Sequence, residues 1–310
     1  MFSRVFGTSS LLSYFIAFLM LIITVYWHHN GIIENNSSSV IAFKSMAIGL
    51  LGIFSLISVE IAVKGGFFLQ KGGYHLPIFI MFFWILPIYK WDVWLWIATS
   101  FLWISVLQVS KAEVNSLNQK AVFNAGFWLV IATFFRIDFY YFFITLWGVL
   151  YIKGQLNFKT IFISFLPALC LFIVVYTASF LIPSLSFLKA GIVSPQKLSF
   201  TWTQNLFDSS GLFLIILTLI MVVLKHFQGH FQNRRNYKTY LHISLLMIFT
   251  SLIIVLFGGE KNGVSWISLL MITAILSAPY FETLSKKWID IFFILCFCFV
   301  LKDQLLILFS

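Results

Sequence analysis

Long apolar runs follow one another along this chain with only short polar breaks between them, and that pattern constrains the fold more than any motif. The runs fall at about 10–27, 40–62, 76–89, 92–109, 121–135, 139–152, 160–182, 209–224, 239–257, 264–279 and 288–301. A helix needs about 20 apolar residues to cross a hydrocarbon layer, somewhat fewer where its tips tuck into the interface. A membrane barrel would instead alternate in segments of about ten residues. These runs are continuous, so the sequence predicts an all-α, polytopic transmembrane bundle. It would have about eleven spans (range 9–12), some of them paired as short hairpins. No stretch is left over for a soluble domain, so residues 1–310 read as one transmembrane unit. Composition agrees: 61% of residues are apolar and only 10% charged, against roughly 25% charged in a soluble domain. A soluble globular enzyme, a disordered chain and a nucleic-acid-binding domain are excluded.

The formal net charge of +10 comes from 20 basic and 10 acidic side chains. In a membrane protein such an excess records topology, because cytoplasmic loops collect Lys and Arg. With eleven spans and a cytoplasmic N-terminus, 13 of the 20 basic residues fall on the inner side, including the loop at 225–238. Six fall outside, and Lys44 lies within a span. Fusing 121–152 into one long helix would send the 225–238 loop outside, so two short helices with Arg136 and Asp138 at their tip fit better. The segment 183–208 reads as an outer interfacial helix and loop. Arg4 followed by an apolar run resembles a signal anchor without a cleavage site. Cys170, Cys296 and Cys298 lie in apolar runs and form neither a disulfide framework nor a thiolate site.

Ionisable groups at membrane depth are functional candidates. Three predicted outer tips each pair a base with an acid: Lys90 with Asp92, Arg136 with Asp138, and Glu260 with Lys261. The first outer loop adds His28, His29 and Glu34. Converging tips would make a polar site in which Lys90, Arg136 and Lys261 hold a phosphate, Arg by bidentate bonding. Asp92, Asp138, His28 and His29 would support them. Charged tips also arise simply because hairpin tips are wet. Glu60 with Lys64, and Asp290 with Lys286 and Lys287, read as helix ion pairs. His226 and His230 share a helix face but lack a nearby carboxylate, so no metal site is assigned. The sequence leaves the cofactor unknown.

The stretch KAVFNAGFWLVIATFFRIDFYYFFITLWGVLYIKG at 120–154 and the start MFSRVFGTSSLLSYFIAFLMLII resemble an uncharacterised family of multi-pass inner-membrane proteins of gliding Gram-negative bacteria. More distantly, 120–154 is similar to the GT-C superfamily of membrane glycosyltransferases. The shared pattern is a small pair (Ala125-Gly126), a short helix, a charged tip (Arg136), a second short helix and a basic inner end (Lys153). That resemblance implies a sugar carried on a polyprenyl phosphate at the extracytoplasmic face, with an acidic base in the first outer loop, here Glu34. That loop is shorter than the superfamily's and has one carboxylate. The expectation is therefore a bacterial inner-membrane protein that binds or transfers a lipid-linked glycan, with membrane lipid and a polyprenyl-phosphate carrier as partners and no nucleic acid. A non-catalytic subunit of an envelope machine, held to a membrane-protein partner, is the alternative; a transporter ranks third.

Overall fold

The computed structural model describes residues 11–30, 43, 46–54, 57, 74–85, 93–110, 119–181, 210–227, 237–257 and 266–309. Among them every regular element is helical. In chain order these are α1 (Leu11–Asn30), α2 (His75–Ile85), α3 (Val93–Ser110), α4 (Gln119–Phe135), a 3-10 helix (Ile137–Tyr141) and α5 (Phe142–Ile152). Next come α6 (Phe158–Leu181), α7 (Ser210–Phe227), α8 (Tyr237–Phe257), α9 (Trp266–Thr283) and α10 (Lys286–Phe309). A further helical stretch covers 46–54. Most of the apolar runs thus become helices, α9 and α10 ending four and eight residues beyond their runs, while about half of 40–62 lies outside the described residues. The segment 183–208 and most of the 225–238 loop lie outside the described residues.

Among the described residues two helices are long and apolar enough, by length and composition, to cross a membrane. Phe158–Ala178 within α6 has a mean hydropathy of 2.4, and α9 has 1.3. They differ sharply in packing, since 83% of the α9 window is buried and only 11% of the α6 window is. Six other apolar helical segments run 10–17 residues. The all-α class is therefore observed among the described residues.

α9 and α2 form the centre. Every residue of α9 from Trp266 to Pro279 is buried, and α2 is buried from His75 through Phe83. Phe79 and Phe83 pack edge-on against Trp96 of α3 at 6.0 and 5.5 Å. The Trp103 indole donates to the Met271 sulfur at 2.9 Å, tying α3 to α9. Tyr74, just before α2, faces the end of α9 and the start of α10. Burial, then the carboxylates of Glu282 and Asp290, push its phenol up from the ordinary value.

The remaining contacts fix helix directions. Trp94 stacks on Phe135 at 5.5 Å, and the Ser105 hydroxyl donates to the Ala125 carbonyl at 2.7 Å, so α3 and α4 are antiparallel. The Lys153 ammonium, at the end of α5, donates to Val109 O at 2.9 Å near the end of α3. α5 therefore returns alongside α4, and the two form a hairpin whose tip is Arg136. A close pair of threonines, Thr145 and Thr250, joins hydroxyls at 2.7 Å, and Gly148 meets Leu246, so α8 runs antiparallel to α5.

The α5–α6 turn shows why the chain reverses there. Gln155 N–H donates to Leu150 O at 2.8 Å and Gly154 N–H to Tyr151 O at 2.9 Å, with Gly154 at φ +68°. This is a Schellman cap, whose left-handed residue a glycine adopts without a Cβ penalty. Thr160 then accepts from Asn157 N–H at 2.9 Å and starts α6. α6 runs back parallel to α4, and the two touch where Gly126 faces the Ser164 backbone.

Candidate functional site

The hairpin tip is built by a local failure of helix. The sequence FFRIDFYYFF is aromatic and β-branched, residues that lose χ1 freedom in a helix and favour it weakly. α4 closes with Arg136 N–H to Ala132 O at 3.0 Å. Arg136 itself is extended, at φ −146° and ψ 101°. Its carbonyl accepts from Phe139 N–H at 3.0 Å, opening the 3-10 helix. Tyr141 and Phe142 are both right-handed helical, so the 3-10 helix passes into α5 without a second break. The reading of 121–152 as one long helix is thereby excluded: the chain turns at a single residue.

That break buries two charges. Arg136 is 6% exposed and Asp138 4%. Arg136 Nη2 stands 3.6 Å from Asp138 Oδ2. That is an ion pair by distance but longer than the roughly 2.7–2.9 Å of a charge-assisted hydrogen bond. Asp138 also lies in the first turn of the 3-10 helix, where the backbone N–H groups favour negative charge. Aromatic rings cluster near the tip. Phe139 packs edge-on against Phe142 at 5.7 Å, Phe101 stacks on Phe135 at 5.9 Å, and the Tyr140 and Tyr141 rings lie 4.1 Å apart.

Two other helices end at this tip. The first turn of α3 arrives there, because Trp94 stacks on Phe135 next to Arg136. The last turns of α8 pack on the 3-10 helix. Of the predicted site residues, Arg136 and Asp138 are brought together. Lys90, Asp92, Lys261 and Glu34 lie outside the described residues, as do the side chains of His28 and His29 in the last turns of α1. The helix nearest in sequence to Lys90 and Asp92 (α3) packs on Phe135, and the one nearest to Lys261 (α8) packs on the 3-10 helix. Among the described residues no group of three His, Cys, Asp or Glu side chains is placed to hold a metal ion.

Sequence reasoning missed two polar contacts. Lys153 was read only as a basic inner end, yet it caps the last turns of α3, and burial pushes its ammonium down to about 8. The Thr145–Thr250 bond had no signal, because threonines in apolar helices usually bond their own backbone. It borders a cavity of about 20 Å³ lined by Leu102, Ser105, Leu129, Phe142, Thr145 and Met247. That space suits roughly one water, not a sugar or a phosphate.

Comparison with protein-family models, with curated proteins and with solved structures finds no match.

Proposed function

We propose that this chain is a polytopic protein of the bacterial inner membrane that binds or transfers a lipid-linked glycan at its extracytoplasmic face. The observation that carries the reading is the Arg136–Asp138 pair, buried at a hairpin tip where the first turn of α3 and the last turns of α8 arrive. Those helix ends lie within a few residues in sequence of Asp92, Lys90 and Lys261, and in this proposal Lys90 and Lys261 join Arg136 on one phosphate. Arg136 would be the bidentate partner. The Asp138 carboxylate stands 3.6 Å from the guanidinium. The membrane part rests on α6, whose exposed residues include Phe162, Leu169, Phe172, Ile173, Val174 and Phe180. Such a face in water would be an aggregation site. Glu34 as base, and the glycan itself, follow from the resemblance to GT-C enzymes.

The test is retention of a polyprenyl phosphate by the purified protein in lipid nanodiscs, read by native mass spectrometry. Replacing Lys90 and Lys261 by Gln should weaken retention about tenfold or more, as should the pairwise change Arg136→Gln with Asp138→Asn. Unchanged retention in both would refute the reading.

The same exposed α6 face favours a second reading, a membrane-embedded subunit of an envelope assembly. A stoichiometric membrane partner, lost when Phe165 and Phe172 become Ala, would support it.

A further inference from the structure

We infer that the Arg136–Asp138 tip is recessed inside the hydrocarbon layer, so that any phosphate it holds arrives on a lipid rather than from water. This rests on the membrane reading and deepens it. α4 and α6 run parallel and touch where Gly126 faces Ser164. From that contact about ten residues of α4 reach Arg136, whereas about seventeen residues of α6 reach Leu181. At 1.5 Å per residue these are about 15 and 26 Å, so α6 continues roughly 10 Å beyond the tip.

The part of α6 level with and above Arg136 is apolar and exposed: Phe172 51%, Val174 59% and Phe180 67%. Of its hydroxyls, that of Thr177 is turned inward along the helix, Oγ1 donating to Ile173 O at 2.9 Å, while Tyr176 is 43% exposed. This is the surface of a helix in lipid, which must satisfy its polar groups internally. Level with Arg136 is about Val174, inside the apolar stretch Phe158–Ala178. The short hairpin of α4 and α5 beside the longer α6 is a hydrophobic mismatch, which a bilayer accommodates by thinning locally. A lipid headgroup can follow that depression; a free anion would have to leave bulk water for it.

The experiment uses the full chain in phosphatidylcholine vesicles. Cys170 and Cys298, which are exposed, are replaced by Ser, and the buried Cys296 is kept. A nitroxide is attached through Tyr140→Cys in the tip or through Phe180→Cys near the end of α6, and its relaxation by oxygen is compared with that by a water-soluble nickel chelate. The oxygen-to-nickel ratio should be several-fold higher at 140 than at 180. Equal or reversed ratios overturn the recession and leave the proposed function standing. In the second arm, excess inorganic phosphate is added to protein holding polyprenyl phosphate. No displacement is expected, and displacement overturns the lipid route. Failure to bind polyprenyl phosphate at all refutes the proposed function, and the lipid route with it, while the label depths still decide the recession.

Discussion

Replacing Gly126 by Ala should destabilise the protein although alanine is the better helix former. A Cβ at 126 would clash with the Ser164 carbonyl oxygen and would lie 3.0 Å from the Ser164 carbonyl carbon and 3.2 Å from its Cα. All three are backbone atoms of α6, so no side chain can swing away and the two helices must separate. Overpacking of this kind costs about 1–3 kcal/mol. Separation also stretches the bond from the Trp147 indole N–H to the Ser164 hydroxyl, now 3.1 Å, a net loss of about 1 kcal/mol. Against this, Gly→Ala inside a helix gains about 1 kcal/mol. The balance is a loss of about 1–3 kcal/mol. Gly148→Ala is the control: its Cβ would meet the Leu246 methyls at 2.5 and 3.0 Å, a flexible side-chain end that can yield. The assay is unfolding of purified protein in mixed micelles with increasing SDS, followed by tryptophan fluorescence. A Gly126→Ala variant as stable as the parent, or more so, would refute the close approach of α4 and α6.

Three further outcomes are expected. Arg136→Gln or Asp138→Asn alone should lower stability by about 3–5 kcal/mol in the same assay, because each removes the opposite charge beside a buried ion, while the double change should cost clearly less than the two together. Lys153 titrates near 10.4 in an unfolded chain and at about 8 in the folded one, so between those values the unfolded state binds more protons. Stability should therefore rise with pH from about 8 to about 10.4, with the burial penalty fully present below 8, and Lys153→Met should flatten that rise. Gly154→Ala should cost about 1 kcal/mol through its φ of +68° alone, since nothing lies within 4 Å of the added methyl; a neutral result would contradict the left-handed cap.

Much of the helix layout was legible because a polar break in an apolar chain is a strong local signal. The runs at 92–109, 121–135 and 239–257 became α3, α4 and α8 with bounds shifted by a residue or two. The turn at Arg136 was readable from charge bias, which disfavoured one long helix. Which helices would touch was not readable. α3 and α9 are apolar nearly all round, so no stripe marks the face that packs, and in the membrane reading burial and exposure call for the same side chains. The central place of α9 and the exposed place of α6 are therefore invisible in composition. The Gly126–Ser164 approach left only a small-residue pair as its trace. For the site, the charges themselves were visible, but the burial of Arg136 and Asp138 was not, because burial follows from which helices converge on the tip, and α3 and α8 come from separate stretches of chain.

The contrast between α9 and α6 bears on how the protein is made. In the membrane reading, α6 offers lipid a strongly apolar surface and can leave the insertion machinery unaided. α9 is less apolar, with a mean hydropathy of 1.3 against 2.4, and its serines and threonines at 268, 273 and 277 are buried against neighbours. Most of its surroundings, including α2, α3 and α8, precede it in the chain. α9 would then enter the membrane as the final filler of a groove already formed. A chain truncated before α8 but fused directly to α9 should leave that helix untranslocated.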